Sequence, residues 1–294
     1  MTCALVALPG NEAFTATLAK ALGTEVLKVT WHRFPDGETN LRFDTSPAGR
    51  SIAIVATLDR PDAKLLPLAF CAATARDLGA PRVGLVAPYL CYMRQDRRFV
   101  AGEGITAHYF PRMIAQWFDW MVTADPHLHR IHDLSEVYPI PTRVVHCAEA
   151  AGRWIKAHID RPLIVGPDEE SAQWADVIAQ TAGAPAIVLR KTRHGDKDVT
   201  VEIPNLSEWA GYQPVLVDDI VSSGHSMVET IRRLRAQGLA APWSVAVHAV
   251  FAGSAEAEIR AAGITGLATC NTIVHPTNAI DVAGLFIDPV RDLV

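Results

Sequence analysis

Short apolar stretches, each followed by a helical pattern, recur along this chain, and that rhythm constrains its fold more than any other feature. Cys3 to Leu8, Ser51 to Thr57, Arg82 to Ala87 and Trp120 to Ala124 read as buried strands. Between them, Asn11 is placed to cap a helix that carries Phe14, Leu18 and Leu22 on one stripe. Pro61 to Leu78 and Ile105 to Phe118 are also helical, with Pro111 expected to kink or split the latter. The rhythm restarts in the second half. Strands are expected at Leu163 to Gly166, Ala186 to Leu189, Val199 to Ile203, Val215 to Asp218, Ser244 to Val250 and near Ile273. Helices are expected at Glu170 to Thr181, His225 to Gln237 and Ser254 to Ala262. Such alternation implies an α/β protein with mostly parallel sheets covered on both faces. A length of 294 residues suggests two domains. Pro139 and Pro141 interrupt the pattern between Pro139 and Val145, which divides the chain into domains over 1–142 and 143–294.

Composition narrows the function classes. A net charge of -5 argues against a nucleic-acid-binding surface, although a local basic pocket for a phosphorylated substrate remains compatible with it. The five cysteines are scattered and form no CxxC pair, which fits reduced thiols in the cytoplasm and not a disulfide framework or structural zinc. No apolar run reaches the ~20 residues needed to span a bilayer, and the N-terminus lacks a basic region of the secretory kind, so no membrane partner is expected.

The densest chemistry lies in PVLVDDIVSSGHSM, Pro214 to Met227. An apolar strand runs into Asp218 and Asp219, a Ser/Gly loop follows, and a helix begins. Ligands of open α/β sheets bind beyond the carboxyl ends of strands. A helix start offers backbone N–H groups and a favourable dipole to a phosphate. Ser222, Ser223 and Ser226 add hydroxyl donors, Gly224 permits close approach, and the two aspartates can accept from neighbouring sugar hydroxyls. A phosphate and a diol gripped together describe a pentose phosphate.

Other segments supply what a nucleotide needs. Arg94, Gln95, Arg97 and Arg98 offer donors, and arginine can hold phosphate oxygens bidentately. Phe34 can stack on a base, while Asp36 and Glu38 can accept from an exocyclic amine. Taken singly these segments also read as a solvated charged turn and a Pro-Asp-Gly turn. Neither GxxxxGK[ST] nor GxGxxG occurs, so P-loop and Rossmann chemistry are not indicated. His127, His129 and His132 invite a zinc reading, but no nearby cysteine or HExxH pattern supports it.

The Pro214–Met227 stretch resembles the phosphoribosyl-diphosphate-binding motif shared by phosphoribosyltransferases and ribose-phosphate pyrophosphokinases. FPDGE (Phe34 to Glu38), PYLCYMRQDRR (Pro88 to Arg98) and DPHLHRIH (Asp125 to His132) are similar to segments of the pyrophosphokinase family, in that family's order. The resemblance implies two phosphoribosyltransferase-like domains, each a mostly parallel sheet flanked by helices. It implies transfer of diphosphate from ATP to ribose 5-phosphate, with Mg2+ as cofactor. Phe34, Asp36, Glu38, Arg94, Gln95, Asp96 and Arg97 would bind ATP. Asp218, Asp219, Ser222, Ser223, Gly224, His225 and Ser226 would bind the ribose phosphate. His127 and Asp168 would touch the metal, and Lys191 and Arg193 of RKTRHGD would be the catalytic cations on a mobile loop. The FPDGE segment would reach the ATP site of a neighbouring subunit in a homo-oligomer. Glu169 and Glu170 stand where glycines often follow the aspartate, Ser222 where Asp is frequent, and His225 where Gly is frequent, which matters if φ is positive there. A phosphoribosyltransferase or a non-catalytic paralogue stays open as an alternative at this point.

Overall fold

The computed structural model describes residues 3–168, 171–193, 199–202 and 206–294. They form two compact units, one comprising Met1–His146, Thr272–Val274 and Ala283–Val294, the other Cys147–Asn271 and His275–Val282.

The first unit runs β1 (Cys3–Ala7), α1 (Glu12–Leu22), β2 (Glu25–Val26), β3 (Val29–Arg33), β4 (Thr39–Phe43), β5 (Ser51–Val55), α2 (Asp62–Asp77), β6 (Arg82–Ala87), α3 (Thr106–Trp117), β7 (Trp120–Ala124) and β8 (Thr142–Val145). Six strands form one parallel sheet in the order β2-β1-β5-β6-β7-β8, while β3 and β4 pair antiparallel as a separate hairpin. The central strands β5 and β7 are buried at every residue, as a sheet covered on both faces requires.

The second unit contains α4 (Ala148–His158), β9 (Pro162–Gly166), α5 (Ala172–Ala182), β10 (Ala186–Val188), β11 (Arg190–Arg193), β12 (Val199–Glu202), β13 (Gln213–Val221), α6 (His225–Ala236), β14 (Trp243–Ala249), α7 (Ala255–Ala261), β15 (Gly266–Cys270) and β16 (Asn278–Ile280). Its sheet, again six-stranded and parallel, has the order β10-β9-β13-β14-β15-β16, and β11 and β12 form a separate antiparallel hairpin. The two units therefore share one topology: the second strand lies at the edge, beside the first, and a detached hairpin follows it. The likeness reaches the packing. Gly84 of β6 pairs with Trp120 of β7, and Gly266 of β15 pairs with Trp243 of β14. A Cβ at Gly84 would lie 1.9 Å from the Trp120 ring, and one at Gly266 would lie 2.3 Å from the Trp243 ring. Each glycine makes room for an indole lying across the neighbouring strand.

Several expectations are corrected. Asn11 does not cap α1 through its side chain. Its amide donates to the Leu8 carbonyl, and its Oδ1 accepts from the Thr57 backbone N–H at 2.8 Å, so it ties the ends of β1 and β5 together. Phe14 and Leu18 are buried, but Leu22 is only partly so. Pro111 does not split α3, which is one element. Burial of Phe110, Pro111 and Ile114 on its inner face offsets the lost backbone bond. Ile273 lies in the turn between β15 and β16, and its apolar side chain is buried there without a strand. The first strand of the pentose-phosphate motif continues past Asp218 to Val221. The division falls after His146, and the C-terminal residues return to the first unit, where a contiguous domain over 143–294 was expected. The physical reason is local: Phe286 packs edge-on against Phe14 at 5.3 Å, and the Thr57 hydroxyl donates to the Thr272 carbonyl.

Candidate active site

In the second unit, the phosphate-loop architecture follows from one glycine. Gly224 is the N-cap of α6 with φ +73, and a Cβ there would meet Ile259 at 3.0 Å, so both backbone and space demand glycine. His225 is the first helical residue, so the histidine found where glycine is frequent carries no positive-φ strain. The loop is braced from behind: the Phe251 N–H donates to the Val221 carbonyl at 2.9 Å, and the Ala252 N–H to the Ser222 carbonyl at 3.1 Å. Ser223, His225 and Ser226 are exposed at this helix start, where the first backbone N–H groups have no intrahelical acceptor. Asp218 and Asp219 are half-buried just upstream, and Asp218 accepts from the Asp219 N–H at 3.0 Å.

Asp168 follows β9, the strand beside β13. Its carboxylate accepts from the Ser171 N–H at 3.3 Å, while the Ser171 hydroxyl donates to its carbonyl at 2.7 Å. On the other side of β9 lies β10, and β11 follows it. Lys191 and Arg193 lie on β11 opposite Val201 and Val199 of β12. Asp168 and the β11–β12 hairpin thus follow β9 and β10, and Asp218–Asp219 lie near the end of the adjacent β13. Glu169, Glu170 and the rest of RKTRHGD beyond Arg193 lie outside the described residues.

In the first unit, FPDGE is the turn of the β3–β4 hairpin. The Gly37 N–H donates to the Phe34 carbonyl at 2.9 Å with Gly37 at φ +93, and Asp36 accepts from the Glu38 N–H. Phe34, Asp36 and Glu38 are all exposed, and the Phe34 ring meets His32 edge-on. The Arg94–Arg98 segment is a loop closed by Glu103, whose carboxylate accepts from the Phe99 and Val100 N–H groups and the Gln95 amide. These bonds hold the Glu103 carboxyl below its ordinary range, the Val100 N–H most of all. Arg94, Arg97 and Arg98 are exposed, with Arg97 over the Phe99 ring. Asp96 differs from its neighbours, because it is buried and bonded to Arg130. His127 and His129 stack with centroids 6.3 Å apart. Among the described residues no three His, Cys, Asp or Glu side chains gather as a metal site. Composition and spacing did not single out Arg130 or Glu103. The i, i+8 pairing of Gln95 with Glu103 leaves a signal only once the segment is known to be a closed loop.

A parallel α/β sheet in which β13 carries two carboxylates near its end and leads into a glycine-capped helix start defines a phosphoribosyltransferase-like protein. The family model for the N-terminal domain of ribose phosphate pyrophosphokinase matches residues 3–117, and that for the phosphoribosyl transferase domain matches residues 133–283. The ribose-phosphate pyrophosphokinase of Saccharolobus solfataricus is 32% identical over 262 residues, covering 87% of this chain and 88% of its own length. That of Methanopyrus kandleri is 29% identical over 278 residues, with 94% of each chain covered. The phosphoribosylpyrophosphate synthetase of Mycobacterium smegmatis has the same fold, with a TM-score of 0.85 at 21% identity over 100% of this chain and 99% of its own. The chain belongs to the ribose-phosphate pyrophosphokinase family.

Proposed function

We propose that this protein is a ribose-phosphate diphosphokinase. The 1-hydroxyl of ribose 5-phosphate attacks the β-phosphorus of ATP. The bond from that phosphorus to the α,β-bridging oxygen breaks, AMP leaves, and 5-phosphoribosyl 1-diphosphate forms while the hydroxyl proton passes to solvent. The observation that carries this reading is the pairing of a pentose-phosphate loop with a family N-terminal domain over residues 3–117. A phosphoribosyltransferase would need only the former.

The phosphate of the sugar would sit at the α6 start on Ser222, Ser223, Ser226 and backbone N–H groups, with Asp218 and Asp219 accepting from its hydroxyls. Arg94, Gln95 and Arg97 would hold the triphosphate, and Phe34, Asp36 and Glu38 the adenine. The exposure of every residue of the FPDGE turn supports its delivery to a neighbouring copy in a homo-oligomer. Lys191 and Arg193 would neutralise charge on the transferring group, since catalysis here is mainly positioning and electrostatics. The oxygen donor of Asp168 suits a hard cation, and His127 with Asp168 would hold Mg2+, which when bound neutralises phosphate charge. The buried thiols of Cys71, Cys91, Cys147 and Cys270, which form no disulfide, suit a reducing, cytoplasmic setting. Among the described residues no helix is long and apolar enough to cross a membrane. Purified protein should form AMP only when ATP, a divalent metal and ribose 5-phosphate are all present. AMP formation that needs no sugar phosphate would refute the assignment.

A further inference from the structure

We infer that Asp96 is a positioning residue and not a nucleotide ligand: its buried carboxylate clamps Arg130, and so registers the loop carrying His127 against the arginine segment. The side chain of Asp96 is 4% exposed, against 41% for Arg130. Both carboxylate oxygens accept from Arg130 Nη1, at 3.0 and 3.1 Å. Oδ2 also accepts from the Arg130 backbone N–H at 3.4 Å, and His129 Nδ1 lies 4.0 Å away. A buried carboxylate is tolerated only when paired, and this one meets its guanidinium and that residue's own backbone. Facing a triphosphate it would add repulsion. Its neighbours Arg94, Arg97 and Arg98 point the other way in exposure, so one short segment alternates between an anchor and exposed cations.

The clamp joins two segments that the fold alone leaves loosely related. Residues 125–133 contain no helix or strand, and neither do 88–105. Arg130 is three residues beyond His127, and Asp96 is two beyond Arg94. Fixing Asp96 to Arg130 therefore limits the distance between the cations assigned to phosphate and the histidine assigned to the metal. Misplacement of such groups by about 1 Å can cost ~10²-fold in rate. The inference rests on the proposed function for its catalytic consequence, but its structural part stands apart from it.

The test is built on Asp96→Asn, Arg130→Gln and Arg130→Lys in the full-length protein. Amide hydrogen exchange, measured without ligands, should speed up at least ~10-fold across 125–132 in Asp96→Asn and Arg130→Gln, a change of about 1.4 kcal/mol in local opening. Should Asp96→Asn fail to fold, Arg130→Gln, whose side chain is partly exposed, carries the measurement. Unchanged exchange overturns the clamp. In kinetics, kcat should fall ~10–100-fold with the KM for ATP within ~3-fold, the double variant should be no worse than the worse single variant, and Arg130→Lys should recover much of the loss. A raised KM for ATP at unchanged kcat in Asp96→Asn alone would make Asp96 a nucleotide ligand and overturn the inference. If the wild-type protein forms no AMP, the functional assignment fails while the exchange data still decide the clamp.

Discussion

Asp219 is the residue on which the sugar side of the account turns. It sits half-buried near the carboxyl end of β13, two strand residues before the loop that Gly224 closes at the start of α6, the proposed phosphate site. Asp219→Ala should weaken ribose 5-phosphate binding ~10-fold or more, the loss expected for a charged hydrogen-bonding partner, and leave ATP binding within ~3-fold. Calorimetric titration of each ligand decides it, and equal losses for both would remove the aspartate from the sugar site. A second residue-scale effect concerns pH. His146 Nδ1 lies 3.2 Å from Asp125 Oδ1, and that hydrogen bond raises the imidazole above its usual range. A raised histidine contributes stability that is fully present below the unfolded value of about 6.5 and is lost as pH rises through the higher folded value. His146→Gln should therefore narrow the gap in melting temperature between pH 5.5 and pH 8.5. An unchanged gap would show that the exposed imidazole gains nothing from Asp125. Such residues differed in how visible they were in the sequence. Asp218 and Asp219 stood out because an apolar run leads straight into them. Asp96 looked like one more polar member of an arginine-rich segment, because burial is a tertiary property and the partner, Arg130, lies 34 residues away.

At the scale of elements, the hairpins are where sequence reasoning ran short. The long buried strands β6 and β7 were legible to the residue, since continuous apolar runs bounded by polar ones admit few readings. The hairpin β3–β4 was not. Its strands alternate between partial and full exposure, so no apolar stripe marks them, and only its Pro-Asp-Gly turn carried a local signal. The counterpart in the second unit, β11–β12, carries the two candidate catalytic cations at alternate positions of one strand. Both are proposed to act on one pyrophosphoryl group, so their effects should overlap. Lys191→Ala and Arg193→Ala should each lower kcat by ~10²–10³-fold with substrate affinities within a few-fold, because such contacts are completed in the transition state. The double variant should be less impaired than the product of the two. Steady-state kinetics of the three proteins tests this, and near wild-type kcat in both single variants would move the catalytic cations to Arg94 and Arg97.

On the scale of the whole molecule, one topology has been used twice, with different chemistry kept in each copy. The second unit carries, after β13, the Gly224-capped helix start that is the proposed phosphate site. The corresponding strand of the first unit, β5, leads instead into a turn where Lys64 is bonded to Asp59 and to the Thr57 carbonyl. The restart of the strand–helix rhythm is legible in the sequence, but the shared detail is not, because it consists of strand order and the space a glycine leaves for a tryptophan. Gly84→Ala and Gly266→Ala should each destabilise their unit by about 1–3 kcal/mol, more at the fully buried Trp120 than at the partly buried Trp243, since the indole ring must shift to admit the methyl. Chemical denaturation would measure this, and a variant as stable as the parent would mean the ring can slide. The claim that unites both units is that they act on one reaction, the transfer of an intact diphosphate. The most direct measurement follows ATP labelled at its β-phosphorus in the presence of ribose 5-phosphate and magnesium. The label should leave AMP behind and appear on the 1-oxygen of the sugar as a diphosphate. Label found in ADP, or released as inorganic pyrophosphate without a sugar product, would contradict that claim.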